Sequence, residues 1–446
     1  MKTDSTAPHI LCVHPWIYDF AAFDFWSKPL GLFYLMSILR DQGIRVSYID
    51  CLDRFHPRQS PGLEVMWDGR GPYRKTTIEP PPQLKGTGRR YSRYGIDPQW
   101  LVDDLRVLDP PDLILVTSLM TYWSPGVAHT ISVIKSVWPD IPVVLGGIYV
   151  SLFKAHAAAH SGADEVVPFA GEPQLADIVK RYTGYEFNAG CDGDDLDAIP
   201  FPAFDIQQRI NYIPLMTSRG CPFSCEYCAS AYLEPRLRRR SYENVLEEIS
   251  FWHQAHQVKN FPFYDDALLV NGSQYAFVLF EKIISSGMDV WFHTPNGVHV
   301  REISAEAAHL MKQAGFKSVR LGVETTDFSK ERPHDAKLVS HEFEQTIANL
   351  KAAGFERHEV GAYLLCGLPG QQIEQVIHSI EMVRAAGIHP ALAYYTPLPH
   401  TKMWDQAVSM SRFNLENHPE CTNNCLFPCV NSPEEIQRIN RLKNHK

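Results

Sequence analysis

The chain has 446 residues, of which 45% are hydrophobic and 21% charged, and its formal net charge is −9. This length exceeds the size at which one hydrophobic core keeps growing, so two or three domains are expected. The composition is that of an ordinary globular protein, which argues against a disordered or fibrous chain. The acidic balance argues against a nucleic-acid-binding protein.

The N-terminus lacks the long apolar region of a signal peptide. No uncharged apolar run approaches the ~18 residues that would span a bilayer. The sequence therefore predicts a cytoplasmic protein without a membrane span. Two clusters, 221–228 and 421–429, each hold three of the ten cysteines. In a chain without a secretion signal, this distribution is typical of metal sites more than of a disulfide framework.

Residues 1–185 alternate short apolar runs with helical patterns, which predicts a Rossmann-like, doubly wound α/β domain. A helix is predicted from Leu30 to Leu39, ending before Gly43. Residues 53–98 are rich in Pro, Gly and Arg without a period, and are predicted to form an irregular insertion. The predicted strands are His9–His14, Val46–Asp50, Leu113–Thr117 and Val143–Leu145.

Residues 186–205 contain several Gly, Asp and Pro residues and are predicted to be a linker. Residues 206–405 then alternate strand-like runs with helices, which predicts a partial (β/α)6 barrel of the TIM type. The tail, 406–446, is polar and contains three cysteines. The predicted barrel strands are Tyr212–Thr217, Asn260–Tyr264, Val290–His293, Ser318–Val323, Val360–Leu365 and Leu392–Thr396.

Cys221, Cys225 and Cys228 directly follow the first predicted barrel strand, at the end where barrel enzymes keep their chemistry. Three thiolates can bind three corners of a 4Fe-4S cluster and leave the fourth iron open. Structural zinc, the alternative, normally takes four protein ligands, and no fourth Cys or His has a comparable spacing. A redox disulfide is less favoured, because no C-x-x-C stands at a thioredoxin-like helix start.

This C-x3-C-x2-C motif, with an aromatic residue before its last cysteine, resembles the signature of the radical S-adenosylmethionine (radical SAM) superfamily. The resemblance implies that the open iron chelates SAM and that an electron from the cluster cleaves SAM to a 5′-deoxyadenosyl radical. His400 departs from the family's usual Pro-Gly-Thr and puts the local turn in doubt. The positions that resemble SAM-binding residues of the family are Tyr227, Asp265, Asp266, Gly322, Glu324, Gly367 and Pro369.

Each of these positions alone could be an ordinary strand end, surface carboxylate or turn. Their common order after the cysteine loop is what favours a SAM site.

The N-terminal domain resembles the cobalamin-binding-type domain that precedes the barrel in one branch of the family. Glycines after parallel strands let a backbone approach a flat ligand, although they are also ordinary turn residues. The chain has no D-x-H-x-x-G, whose histidine ligates cobalt in other cobalamin proteins. A bound cobalamin is therefore predicted to lack a protein histidine on cobalt. The implied contacts are Leu30, Gly31, Ser118, Tyr122, Gly146, Gly147, Gly171 and Glu172.

Cys421, Cys425 and Cys429 have C-x3-C-x3-C spacing and could ligate an auxiliary cluster or zinc. Separate buried or surface thiols explain the same residues equally well.

The resemblance implies a radical SAM enzyme, with methyl transfer to an unactivated carbon by a cobalamin-dependent route as the favoured reaction. One alternative is a radical rearrangement, cyclisation or oxidation without a methyl-transferring cobalamin. A second is a non-catalytic iron–sulfur electron-transfer or binding protein. The expected partners are a small-molecule or peptide substrate and an external electron donor such as flavodoxin or ferredoxin. No catalytic side chain is assigned from the sequence.

Overall fold

The computed structural model describes residues 7–190, 193–326 and 340–444. Two residues of the predicted linker, 191 and 192, lie outside these ranges. The chain forms two compact units, Met1–Ile210 with Glu416–Thr422 and Asn211–Leu415 with Asn423–Lys446. Within the described ranges, no helix is long and apolar enough to cross a bilayer.

A five-stranded parallel sheet with the order β3-β1-β6-β7-β8 forms the centre of the first unit. Its winding reverses between β1 and β6, as in the doubly wound folds whose ligands bind outside the carboxyl ends of the strands. The predicted Rossmann-like fold is confirmed. The strands of this unit are β1 (His9–His14), β2 (Ile17–Asp19), β3 (Arg45–Asp50), β4 (Lys75–Thr77), β5 (Ser92–Tyr94), β6 (Leu113–Val116), β7 (Val143–Gly146) and β8 (Glu165–Val167).

Burial explains why these short runs form strands. Ile10, Leu11, Cys12 and Val13 of β1 are fully buried, as expected for a parallel strand covered on both faces. The first helix begins at Leu30 as predicted. The helices are α1 (Leu30–Asp41), α2 (Pro98–Val107), α3 (Ser124–Val137), α4 (Ile148–Leu152), α5 (Lys154–His160) and α6 (Leu175–Thr183).

The predicted insertion is more regular than its composition suggests, because β4 and β5 form a small antiparallel sheet with β2. A buried guanidinium organises the rest. Arg54 is 3% exposed, pairs with Asp24 at 3.0 Å, and donates to the carbonyl oxygens of Glu64, Gly69 and Arg70. A buried charge is tolerated only when it is paired and hydrogen-bonded, so this network fixes one arrangement of the segment.

Part of the predicted linker packs against α1. Phe204 is fully buried, with its ring 4.3 Å from that of Phe33. The Ser37 hydroxyl donates to the Phe201 carbonyl at 2.5 Å. The aromatic side chains of this stretch therefore give it a packed position that its Gly and Pro content did not indicate.

A parallel sheet with the order β11-β12-β14-β15-β16 forms the centre of the second unit, and β13 pairs with β14. The strands are β9 (Ser218–Arg219), β10 (Arg238–Arg239), β11 (Asn260–Pro262), β12 (Trp291–His293), β13 (Val298–His299), β14 (Phe316–Glu324), β15 (Val360–Cys366) and β16 (His389–Tyr394). The helices are α7 (Ser230–Leu233), α8 (Tyr242–His256), α9 (Ala276–Ser286), α10 (Ala305–Ala314), α11 (Ser340–Ala352), α12 (Ile373–Ala385), α13 (Trp404–Met410) and α14 (Pro433–Asn444).

The first predicted barrel strand is present only in part. Leu215 forms a parallel bridge with Phe263 and exchanges hydrogen bonds with Pro262 and Tyr264 at 2.8 and 2.7 Å. The Ile213 N–H also donates to the Asn260 carbonyl at 3.0 Å, but Pro262 has no N–H to donate back to Ile213, which explains why the ladder here is incomplete. With this segment, six parallel positions follow one another in chain order, and the partial barrel is confirmed.

We predict that Gly147→Ala destabilises the first unit more than Gly184→Ala does. Gly147 lies at φ 101° and ψ −172°, a region that only glycine occupies readily, and an added Cβ would lie 2.1 Å from the Ser118 carbonyl oxygen. Gly184 also has positive φ, but its Cβ would meet nothing within 4 Å. Its replacement should cost about 1–2 kcal/mol of backbone strain alone. Thermal unfolding of both variants tests the difference, and equal melting temperatures would contradict it.

Candidate functional site

The cysteine loop starts from a position that requires glycine. Gly220 has φ +88°, and a Cβ there would lie 2.4 Å from the Arg236 carbonyl oxygen. The strands β9 and β10 pair on either side of the loop, with Arg238 opposite Arg219. The chain therefore enters Cys221 from a closed, two-stranded base.

The three cysteines lie in this loop, and none of them forms a disulfide bond. Cys221 and Cys225 are half-buried and Cys228 is exposed. A hydrogen bond of 3.1 Å from the Cys228 N–H to the Cys225 carbonyl closes a turn between two of them. Among the described residues, no three Cys, His, Asp or Glu side chains are assembled as a metal site. Three thiols in one loop, with no fourth ligand assembled beside them in the described ranges, nevertheless suit a cluster with one open iron better than structural zinc.

Contacts from other parts of the second unit hold the loop. The Met403 N–H donates to the Glu226 carbonyl at 3.0 Å. His400 has φ +65°, and its ring stacks on that of Tyr232 in α7 at 3.9 Å and 10°. The turn at which the family usually has glycine is therefore kept in this chain, and the replacement side chain contacts the helix that follows the cysteines. The sequence pattern did not indicate Tyr232.

Asp265 and Asp266 are neighbours with different surroundings. Asp265 is 3% exposed and accepts hydrogen bonds from the Thr217 N–H and hydroxyl at 3.1 and 2.6 Å and from the Ser218 hydroxyl at 2.6 Å. Burial raises the pKa of Asp265, and these hydrogen bonds oppose that rise. Asp266 is exposed and accepts from the Ser230 hydroxyl at 2.8 Å. Asp265 thus anchors the strand that leads into the cysteine loop, and Asp266 contacts α7.

A β-bulge places Glu324 at the carboxyl end of β14. The pairing with β15 shifts register between Gly322 and Glu324, and Glu324 has φ +65°. Bulges bend a strand and re-aim its side chains, often beside active sites. Positive φ in a residue other than glycine stores local strain.

Gly367 and Pro369 follow β15 in a loop tied down by Gln371. The Gln371 Oε1 accepts from the N–H groups of Gly367 and Leu368 at 2.8 and 3.3 Å, and its Nε2 donates to the Leu365 carbonyl at 2.9 Å. Pro369 is buried, and Tyr227, in the cysteine loop, is half-buried. Because parallel strands end at the same edge of a sheet, all the predicted SAM-binding segments lie at one end of the second unit's sheet.

In the first unit, most of the predicted cobalamin contacts pack within the domain. The Ser118 hydroxyl donates to the Gly146 carbonyl at 2.6 Å, and the Ser118 carbonyl accepts from the Ile148 N–H at 2.9 Å. Gly147 fits directly against Ser118. These contacts lock together the loops after β6 and β7. Leu30, Ser118, Tyr122 and Glu172 are buried, Gly146, Gly147 and Gly171 are half-buried, and Gly31 is exposed on α1.

The same edge carries apolar side chains that the sequence analysis missed. Met120, Ile148 and Phe169 follow β6, β7 and β8 and are 47%, 43% and 46% exposed. Phe169 has φ +65°, and its N–H donates to the Ser151 hydroxyl at 2.7 Å. Exposed large apolar side chains gathered in one place indicate a binding surface. Their position directly after three consecutive parallel strands is the sequence feature that could have identified them.

The tail cysteines are not assembled as a ligand set in the described part of the chain. Cys421 belongs to the first unit, whereas Cys425 and Cys429 belong to the second. Burial raises the pKa of both Cys421 and Cys429 to about 12, and Glu420 adds to the rise at Cys421. Because the thiolate is the metal-binding form, this burial favours the role of packing thiols.

Comparison with known proteins places the second unit in a family. Residues 215–383 match the sequence profile of the Radical SAM superfamily. An uncharacterized methyltransferase of Pyrococcus horikoshii is 26% identical over 67% of this chain and 70% of its own length. An anaerobic magnesium-protoporphyrin IX monomethyl ester cyclase of Cereibacter sphaeroides is 26% identical over 69% of this chain and 54% of its own length.

The fold extends the likeness to the first unit. A radical SAM methyltransferase, TsrM from Kitasatospora setae, solved with cobalamin and a [4Fe-4S] cluster, superposes with a TM-score of 0.66 at 15% identity. The match covers 91% of this chain and 79% of that one. Residues 215–383 are therefore similar to the Radical SAM superfamily, and the chain shares the fold of the solved TsrM structure.

Proposed function

We propose that this chain is a cobalamin-dependent radical SAM methyltransferase that acts on an unactivated carbon of a small molecule or peptide. The observation that carries the proposal is the combination of a three-thiol loop without a fourth ligand and an exposed apolar edge on the Rossmann-like sheet. Cys221, Cys225 and Cys228 would hold the 4Fe-4S cluster. That cluster, when bound, would supply the electron that cleaves SAM.

The residues at the carboxyl end of the second unit's sheet would bind SAM. Tyr227 lies in the cysteine loop, Glu324 is presented by the bulge in β14, and Gly367 and Pro369 form the loop held by Gln371. Gly322 lies beside Glu324, where a Cβ would be 3.3 Å from its carboxylate. We assign Asp265 a positioning role, because its carboxylate is buried against Thr217 and Ser218.

The first unit fits a corrin ring at its carboxyl edge. Met120, Ile148 and Phe169 offer an apolar surface to a flat ligand. His14, which ends β1, is 3% exposed, and its Nδ1 lies 2.9 Å from the Asp50 carboxylate, so this histidine is occupied within the domain. When bound, cobalamin would supply the methyl group. The pairing with Asp50 therefore favours binding without His14 as a cobalt ligand.

A second function, radical cyclisation without methyl transfer, is favoured by the likeness to the cyclase of Cereibacter sphaeroides. Transfer of a labelled methyl group from SAM to substrate separates the two enzymes. An electron-transfer protein, the remaining alternative, would form no 5′-deoxyadenosine from SAM and a reductant. We further propose a cytoplasmic location and a flavodoxin or ferredoxin as electron donor.

We predict that replacing Cys221, Cys225 and Cys228 together by Ala removes the cluster and abolishes SAM cleavage, because the three thiolates are the proposed iron ligands. The measurement is iron content, absorption and 5′-deoxyadenosine formation under anaerobic reduction.

The matched control replaces Cys421, Cys425 and Cys429 by Ala, which removes the same number of thiols elsewhere. This variant should keep reductive cleavage, because these thiols lie outside the barrel motif and Cys421 and Cys429 are buried. A loop variant that kept cluster and cleavage would overturn the assignment.

We predict that Asp265→Ala lowers the melting temperature of the apoprotein, whereas Asp266→Ala leaves it nearly unchanged. The first substitution leaves the Thr217 N–H and two hydroxyl groups without their buried acceptor, at a cost of about 1–3 kcal/mol. Asp266 is exposed and is replaced at little cost. An Asp265→Ala protein of unchanged stability that had lost only SAM affinity would show instead that Asp265 contacts SAM.

We predict that the protein binds hydroxocobalamin without histidine nitrogen on cobalt. Anaerobic titration followed by absorption measures binding, and paramagnetic resonance of the cobalt(II) form reports the axial ligand. Phe169→Asp should weaken binding, because it places a charge on the proposed apolar surface, whereas Val107→Asp, an 82% exposed residue at the end of α2, should not. Histidine-nitrogen coupling would contradict the ligation, and absence of binding would favour the cyclase-like alternative.

A further inference from the structure

We infer that Asp266 and Ser230 are positioning residues for Cys228, in which the Asp266 carboxylate keeps the Ser230 hydroxyl proton away from the Cys228 sulfur and so holds the cluster at a low reduction potential. The inference rests on the proposed function, because it takes Cys228 as an iron ligand. It assigns to Asp266 a role other than the SAM contact that the sequence suggested.

The three side chains form a chain of contacts at the start of α7. The Ser230 Oγ is 2.8 Å from the Asp266 Oδ2 and 3.3 Å from the Cys228 Sγ. The Ser230 N–H also points to that sulfur, at 3.5 Å. Cys228 is the exposed member of the three loop cysteines, and both contacts reach its sulfur at a solvent-accessible position.

These contacts matter because they decide which group accepts the proton of the Ser230 hydroxyl. In the free thiol, the Cys228 S–H donates to the Ser230 oxygen. Binding to iron removes the thiol proton, and the single Ser230 hydroxyl proton can then go to the sulfur or to the carboxylate. The carboxylate is charged and only 2.8 Å away, and charge-assisted hydrogen bonds are the stronger ones. The hydroxyl therefore donates to Asp266, and its lone pairs face the sulfur.

This arrangement lowers the reduction potential of the cluster in two ways. Hydrogen bonds to cysteine sulfur stabilise the extra electron of a reduced cluster, and withholding one removes that stabilisation. The nearby negative charge of Asp266 also opposes the added electron. Cleavage of a sulfonium by one electron requires a strong reductant, so a lower potential serves the proposed reaction.

The position of Asp266 in the fold supports this role. Its neighbour Asp265 is buried and already anchors Thr217 and Ser218, whereas Asp266 is exposed and has little to contribute to packing. The stacking of His400 on Tyr232 gives α7 a further contact that does not involve the Asp266 carboxylate.

The test is a redox titration of the reconstituted holoenzyme without SAM, followed by paramagnetic resonance of the reduced cluster. Asp266→Asn should raise the midpoint potential, because the amide NH2 can donate to the Ser230 oxygen and free its hydroxyl to donate to sulfur. In a Ser230→Ala background, the same substitution should cause a much smaller shift. Ser230→Thr, which keeps the hydroxyl, should retain the wild-type potential.

Asp289→Asn is the matched control. Asp289 is an exposed carboxylate paired with Lys259 just before β12, at the opposite end of the same sheet, so its replacement removes an equal charge and should leave the potential unchanged. An unchanged potential in Asp266→Asn, or an equal shift with and without the Ser230 hydroxyl, would overturn the inference. A wild-type protein that assembled no cluster would instead overturn the proposed function.

Discussion

The buried carboxylate of Asp265 is the interaction on which the arrangement of the second unit's site depends. Among the described residues, the first barrel strand has one bridge, at Leu215, because Pro262 has no N–H to complete another at Ile213. Hydrogen bonds from Thr217 and Ser218 to Asp265 therefore fix the end of that strand, just before Gly220. The glycine then turns the chain into the cysteine loop. Asp265, which lies 48 residues after Thr217, thus fixes the position at which the cysteine loop starts.

In the first unit too, some residues hold the loops in place and others are exposed at the edge of the sheet. Ser118, Gly146 and Gly147 hold two loops of the parallel sheet together by close backbone contact. Met120, Ile148 and Phe169 are exposed at this edge; Ile148 directly follows Gly147, and the Phe169 N–H donates to the Ser151 hydroxyl. Residues that resemble a family's binding positions can therefore be the supports of a site, while neighbours without a recognisable motif present its surface.

The sequence sufficed for the parts of the structure that depend on local patterns. The apolar run of β1 and the helix that stops before Gly43 follow from periodicity and glycine chemistry, and the cysteine loop follows from its spacing. The different surroundings of Asp265 and Asp266 could not be predicted, because they depend on Ser230 and Thr217, which are distant in sequence. The hydrogen bonds of Arg54 could not be predicted from the sequence either, since their acceptors are mostly backbone carbonyls.

Several residues with a strained backbone lie at the same strand ends as the supporting and the exposed side chains. Phe169, Glu324 and His400 have positive φ without being glycine, and each lies at or beyond the carboxyl end of a parallel strand. Such conformations cost about 1–3 kcal/mol each and persist only where the surroundings over-determine them. Ser151 supplies that constraint at Phe169 and Tyr232 supplies it at His400. Both parallel sheets thus carry strained backbone positions at the carboxyl ends of their strands.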